Sequence, residues 1–75
     1  MEKIVAILEE LVPDVDVRTC TRLIDDRHLD SLAIVALVAE LEDAFDVTVP
    51  AVDIVAENFN SAEAISALVS RLEEE

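Results

Sequence analysis

The sequence predicts an all-α fold, a small bundle of three main helices and one short helix. Apolar residues recur with helical spacing in three stretches, within residues 4–11, 34–45 and 65–72. A sheet is poorly supported, because the longest strand-like run, Val47 to Val49, ends at Pro50. With 75 residues, of which 53% are hydrophobic, the chain is expected to form one domain, residues 1–75, with a small core.

The first helix is predicted from the start of the chain, because its apolar residues follow the i, i+3, i+4, i+7 rule: Ile4, Ile7, Leu8 and Leu11. Pro13 should end it at or just before Val12. Residues 13–30 then form a long loop, which is unusual in a compact domain and often functional. Four of its apolar side chains are expected to hold it against the core: Val15, Val17, Leu23 and Ile24.

The second helix is predicted from Asp30 or Ser31, either of which can serve as its N-cap, to about Ala44 or Phe45. At about 100° per residue, one side should face the core with Ile34, Leu37, Val38, Leu41 and Phe45. The opposite side carries Leu32, Val35, Ala36, Ala39 and Asp43, with Glu42 on its edge. This second side is either an ordinary surface with scattered apolar residues or a docking surface.

The rest of the chain contains two further helices. Residues Val52 to Glu57 are expected to form the short one. Asn60 followed by Glu63 resembles a capping box and predicts the start of the last helix. Its apolar stripe consists of Ile65, Leu68, Val69 and Leu72.

The charge limits the partners that the domain can have. Eighteen acidic and five basic residues give a net charge of −13, which argues against nucleic acid and anionic membranes and favours basic partners. No segment reaches the roughly 20 apolar residues of a membrane span, and no signal peptide is apparent, so we expect a cytoplasmic protein without membrane insertion. We also expect a monomer. The lone Cys20 is expected to be a loop or core thiol.

Ser31 is the candidate functional residue, because an exposed hydroxyl at a loop-to-helix junction can be reached by another enzyme. A hydrolase triad of Asp26, His28 and Ser31 is a weak alternative, since three neighbours in one loop rarely meet in the required geometry. The acidic loop lacks the glycine and the twelfth-position glutamate of an EF-hand. We therefore expect neither a catalytic site nor a dedicated metal site.

These residues resemble a known family, the phosphopantetheine-dependent carrier proteins, which comprise acyl, peptidyl and D-alanyl carrier proteins. The resemblance spans nearly the whole chain and includes Asp30-Ser31-Leu32 at the start of an acidic-edged helix and the segment Phe45 to Pro50. It implies a non-catalytic carrier whose Ser31 receives covalent 4′-phosphopantetheine from coenzyme A, transferred by a phosphopantetheinyl transferase. The arm would hold acyl or aminoacyl groups as thioesters.

The resemblance also implies recognition residues. Asp30 and Leu32 flank the modified serine and would contact the transferase. From their place on the outer side of the second helix, we expect Val35, Ala39, Glu42 and Asp43 to contact partners as well. Those partners would be an adenylating ligase or acyl transferase and downstream biosynthetic enzymes with basic docking patches.

The sequence departs from the common bacterial fatty-acid carriers. Leu29 stands two residues before the serine, where glycine is usual, and Ala33 and Ala36 occupy positions that are often acidic. Leu29-Asp30-Ser31 and Glu57-Asn58-Phe59 are more similar to D-alanyl and stand-alone peptidyl carriers. This favours a discrete carrier loaded by an adenylating ligase. A fatty-acid or polyketide acyl carrier protein and an acidic interaction module without a prosthetic group are the alternatives.

Overall fold

Four α-helices make up the bundle in the part of the chain that the structure describes. The computed structural model describes residues 2–74, with α1 (Glu2–Leu11), α2 (Ser31–Phe45), α3 (Ala56–Phe59) and α4 (Ala62–Glu73). The two terminal residues of the expected domain 1–75 lie outside the described part. No strand occurs in residues 2–74, and no helix there is long and apolar enough to cross a membrane. The predicted all-α fold of three main helices and one short helix is confirmed.

The core lies where α1, α2 and α4 meet, because α1 contacts both other long helices. Each predicted apolar stripe contributes to it, and no polar or charged residue among the described ones is buried. On α2, Leu37 and Leu41 are fully buried, while Ile34, Val38 and Phe45 pack against the core from its edge. All four residues predicted for the stripe of α4 are buried: Ile65, Leu68, Val69 and Leu72. The fold is therefore held mainly by apolar burial.

The loop between α1 and α2 is held to the core as the sequence predicts. Val17 and Leu23 are buried, and Val15 and Ile24 are half-buried against the core. The half-buried thiol of Cys20 packs against the same core. The loop therefore behaves as a packed segment rather than a free tether.

The short helix was predicted at Val52 to Glu57, and these bounds are wrong. The chain instead forms a 3₁₀ turn at Ala51–Asp53 and then α3 at Ala56–Phe59. Val55 between them is extended, with φ −131° and ψ 156°. Three β-branched residues, Val52, Ile54 and Val55, lower the helix propensity of this segment. This explains why a continuous helix does not form here.

The predicted capping box of α4 is also wrong, by one residue. Ser61, and not Asn60, is the N-cap, because its hydroxyl accepts a hydrogen bond from the backbone N–H of Ala64 at 3.0 Å. Ser61 has the extended backbone that an N-cap requires. Asn60 instead has helical backbone angles and is the C-cap of α3. Glu63 then falls at the second helical position, where a capping box cannot form.

The acidic excess is only partly offset by ion pairs. Arg18 contacts Glu2 at 2.8 Å, and its hydrogen bond and charge lower the pKa of the Glu2 carboxyl. Arg71 contacts Asp53 at 2.9 Å. Exposed pairs of this kind stabilise a fold only slightly. Most of the negative charge therefore remains as self-repulsion in the folded state.

Salt should consequently stabilise the domain. We expect the melting temperature, followed by circular dichroism, to rise by several degrees as sodium chloride increases from about 0.01 M to about 0.5 M, because the Debye length falls from tens of ångströms to a few. Potassium chloride is the control and should act alike, since screening depends on ionic strength. A melting temperature that does not change with either salt would contradict this account of the charge.

Candidate functional site

The site begins where the loop turns into α2. Asp30 is the N-cap of the helix, and its carboxylate accepts a hydrogen bond from the backbone N–H of Ala33 at 2.8 Å. The sequence left Asp30 and Ser31 open for this role, and the structure assigns it to Asp30. Ser31 is thus the first helical residue, and its hydroxyl is not needed as a cap.

Ser31 is exposed at this helix end. Within residues 2–74 no hydrogen bond engages its hydroxyl. Free backbone amides of the first helical turn lie beside it, which favours a negatively charged substituent, while the carboxylate of Asp30 opposes one. The geometry offers an accessible hydroxyl to an external enzyme.

The triad alternative finds no support in the geometry. Asp26 is engaged by Arg22 at 3.0 Å instead of by His28, and this hydrogen bond, with the added charge of Asp25, raises the pKa of the Arg22 guanidinium. No hydrogen bond among the described residues joins His28 to Ser31. Both side chains are exposed to water. The relay that activates a serine nucleophile is therefore not formed.

The acidic residues do not converge either. In the part of the chain that the structure describes, no group of three His, Cys, Asp or Glu side chains could hold a metal ion. Two of the loop carboxylates have separate contacts, Asp26 with Arg22 and Asp25 with the side-chain amide of Asn60. The loop is thus as negatively charged as a cation site, but its described carboxylates are not grouped closely enough to bind one ion.

Leu29 anchors the site to the core, a role that the sequence analysis missed. Its side chain is only 3% exposed, and its backbone N–H donates to the carbonyl of Leu23 at 2.9 Å. Two residues before it, Arg27 has φ 63° in the left-handed region, a conformation that costs about 1–2 kcal/mol for a residue with a side chain. The sequence feature that could have indicated this buried role is an isolated apolar residue between two polar ones, His28 and Asp30. Leu29 therefore places Ser31 at a defined point on the surface.

Asn60 is the second missed residue. Its side-chain carbonyl accepts hydrogen bonds from the backbone N–H groups of Ile24 and Asp25, at 2.9 and 3.1 Å. It thereby joins the loop before Ser31 to the α3–α4 junction. The sequence pattern indicated only a cap of α4 at Asn60, because no local pattern shows a partner 35 residues away.

The outer side of α2 is exposed next to Ser31. Leu32 is 82% exposed and Val35 66%, and Ala39 and Asp43 are exposed further along the helix. Ala36, predicted on the same side, is half-buried. The structure therefore brings Asp30, Ser31, Leu32 and Val35 together at one end of the helix.

Glu42 has a structural contact in addition to its predicted place on the edge of this surface. It is half-buried, and its carboxylate accepts a hydrogen bond from the backbone N–H of Val49 at 2.9 Å. This bond holds the segment after α2 against the helix. The other carboxylate oxygen of Glu42, Oε1, remains available for contacts with a partner.

A second group of exposed apolar residues lies in the segment before α3. Val52 is 83% exposed, and Ile54 and Val55 are partly exposed. These three side chains lie within four consecutive positions of the sequence, so they form a local group of exposed apolar residues. Their sequence pattern predicted a helix here and did not indicate an exposed surface.

Comparison with known proteins identifies the family. Neither a curated protein nor a solved structure gave a significant match to this chain. The family described as phosphopantetheine attachment site matches residues 2–69, which include the loop, Ser31 and most of α4. Members of this family carry covalently attached 4′-phosphopantetheine and serve as carrier proteins. Because the match covers nearly all of the sequence, the chain belongs to the phosphopantetheine attachment site family.

Proposed function

We propose that Ser31 is the residue of this carrier protein that bears 4′-phosphopantetheine. Its exposed hydroxyl at the start of α2 supports the proposal most strongly, because Asp30 caps the helix and leaves Ser31 available. The residues around Ser31 fit such a group, since no described side chain forms a hydrogen bond with the hydroxyl and the first-turn amides favour a phosphate ester. When bound, the group supplies a thiol on a flexible arm that holds acyl or aminoacyl cargo as a thioester.

The folded chain then presents the attached cargo to partner enzymes and catalyses no reaction itself. Leu32, Val35 and Ala39 present an apolar strip to partners. Asp30, Glu42 and Asp43 add negative charge at its border. An apolar strip with an acidic border suits enzymes whose docking patches have apolar centres surrounded by lysine or arginine. These partners are a phosphopantetheinyl transferase and the enzymes that load and use the cargo.

The first test is the intact mass of the wild-type protein. After incubation with coenzyme A, magnesium and a broad-specificity phosphopantetheinyl transferase, the apo protein should gain the mass of one phosphopantetheine group. A second group should not appear. If several transferases fail to add any mass, the chain is an acidic interaction module without a prosthetic group, and the proposal is wrong.

The proposal extends to the type of carrier: a discrete carrier loaded by an adenylating ligase, of the D-alanyl or peptidyl kind. Leu29-Asp30-Ser31 and Glu57-Asn58-Phe59 support it by their similarity to such carriers. The burial of Leu29 adds that this position has a packing role, which a glycine in its place could not fill.

Loading assays separate this type from the alternative. The holo protein should accept an amino acid from an adenylating ligase in the presence of ATP, giving a thioester that hydroxylamine cleaves. It should be a poor acceptor from a malonyl transferase supplied with malonyl-coenzyme A. The reverse preference would show a fatty-acid or polyketide acyl carrier protein instead.

A further inference from the structure

A single residue at the α3–α4 junction makes four hydrogen bonds to the loop that precedes Ser31. The side-chain carbonyl of Asn60 accepts from the amides of Ile24 and Asp25, and its side-chain amide donates to the carboxylate of Asp25 at 3.3 Å. The backbone carbonyl of Asn60 accepts from the N–H of Leu23 at 2.9 Å. We call Asn60 and its bonds to residues 23–25 the Asn60 clamp.

The clamp is connected to Ser31 through a short series of ordered contacts. Leu23, which it holds, is fully buried and accepts the backbone hydrogen bond of Leu29. Leu29 is buried as well, and only Asp30 separates it from Ser31. A displacement of Leu23 would therefore be passed to the start of α2.

The Asn60 clamp bonds the loop before Ser31 to the residue that follows α3, and each of these two segments borders exposed apolar residues in the sequence. Leu32 lies immediately after Ser31, while Val52 and Val55 lie before α3, the helix that Asn60 ends. An enzyme that touches both surfaces while acting on Ser31 meets them at a fixed spacing only if the loop and α3 keep their relative position. Asn60 supplies directional bonds for this, which apolar packing alone does not.

We propose that Asn60 is a positioning residue for modification of Ser31. By holding residues 23–25, it keeps the Ser31 hydroxyl in one orientation relative to the surface that a phosphopantetheinyl transferase contacts. The inference rests on the proposed function of Ser31. It assigns to Asn60 no contact with coenzyme A and no part in the chemistry.

Two measurements test the proposal on the full chain. The first is amide hydrogen exchange of the apo protein at Ile24, Asp25 and Leu29, which does not depend on loading. The second is kcat/KM of a phosphopantetheinyl transferase with saturating coenzyme A and varied apo protein. Asn60→Ala removes the side-chain bonds to Ile24 and Asp25 and keeps the backbone bond to Leu23. We expect exchange at Ile24 and Asp25 to quicken by about tenfold, the change that corresponds to losing a part-buried hydrogen bond, and exchange at Leu29 to quicken as well, because Leu23, its acceptor, directly precedes Ile24. We expect kcat/KM to fall by about tenfold.

Ser61→Ala is the matched control. It removes the neighbouring α4 cap, the bond from the Ala64 amide, and leaves the Asn60 clamp in place. It should lower the melting temperature without changing exchange at Ile24 or Asp25 and without slowing loading. The pair Asn60→Asp with Asp25→Asn reverses the donor and acceptor of the 3.3 Å bond while keeping an acceptor for the two amides. This pair should restore most of the loading rate.

The outcomes are distinguishable. Equal loss of kcat/KM in Asn60→Ala and Ser61→Ala would overturn the proposal, because the effect would then be one of general stability. Unchanged loading or unchanged exchange in Asn60→Ala would overturn it as well. A wild type that is never loaded would remove the proposed function, and exchange at Leu29 would still decide whether Asn60 orders the loop.

Discussion

Replacement of Ser31 by alanine is expected to abolish phosphopantetheine attachment while leaving the fold intact. The change removes the accessible hydroxyl, so no ester can form at this position. It removes no cap, because Asp30 provides the bond to Ala33, and no core contact, because Ser31 is exposed. Alanine is also the best helix former. Intact mass after incubation with the transferase and coenzyme A, together with the circular dichroism spectrum, measures both parts of the prediction.

Ser70→Ala is the matched control for this variant. Ser70 is an exposed serine on α4, so its removal changes composition and surface in the same way. This control should gain one phosphopantetheine group at the wild-type rate. Continued loading of Ser31→Ala, or failure of Ser70→Ala to load, would show that the attachment point has been misplaced.

The largest loss of stability is expected from Phe59→Ala. Phe59 ends α3 with a side chain that is 1% exposed, and it is among the largest fully buried side chains. Its truncation should reduce the free energy of unfolding by about 3–5 kcal/mol, because it removes apolar burial and leaves a cavity. The free energy of unfolding of a domain of this size is expected near the lower end of the usual range of about 5–15 kcal/mol. The variant should therefore be largely unfolded at about 37 °C. Urea unfolding followed by circular dichroism measures the loss.

Phe45 provides the control, since the chain contains only two phenylalanines. It is half-buried at the end of α2, with the Lys3 ammonium 5.6 Å from its ring centre. Phe45→Ala should cost clearly less than Phe59→Ala, because part of its ring already faces water. Equal losses in the two variants, or a loss below about 1 kcal/mol for Phe59→Ala, would contradict the described core.

The long helices could be predicted from the sequence because each buries one regular stripe. The end of α1 followed from Pro13, and the start of α2 from the capping side chains of Asp30 and Ser31, because proline and a cap leave the backbone few choices. The end of α2 followed from the last residue of its apolar stripe, Phe45. The apolar residues of the loop were also found, since in a polar segment such residues have little reason to exist except contact with the core. Local chemistry decides these features, so local patterns reveal them.

The wrong predictions concern positions where two local structures are about equally favourable and tertiary contacts decide between them. Asn60 and Ser61 are both good caps, and the long-range bonds of Asn60 to Leu23, Ile24 and Asp25 favour Ser61 for that role. The segment around Val55 has an apolar pattern that fits a helix, but its β-branched residues form an extended break. Leu29 belongs to the core for the same kind of reason, a bond to Leu23 that no periodicity reveals.

Ser31 itself was predicted from a short motif in its context. Asp30-Ser31-Leu32 alone is a weak signal, and the surrounding charge, spacing and helices made it specific. Three observations support the proposal that this serine is modified: Asp30 caps the helix in its place, Leu29 is buried, and Asn60 bonds the loop that precedes it. Leu32, the next residue, is also exposed.

Peptide mapping of the loaded wild-type protein by fragmentation mass spectrometry tests the central claim most directly. The account predicts that phosphopantetheine lies on Ser31 alone and that every other serine and threonine stays unmodified. Attachment at a different residue, or no attachment with any of several transferases, would contradict the claim that Ser31 is the phosphopantetheine attachment site of this carrier.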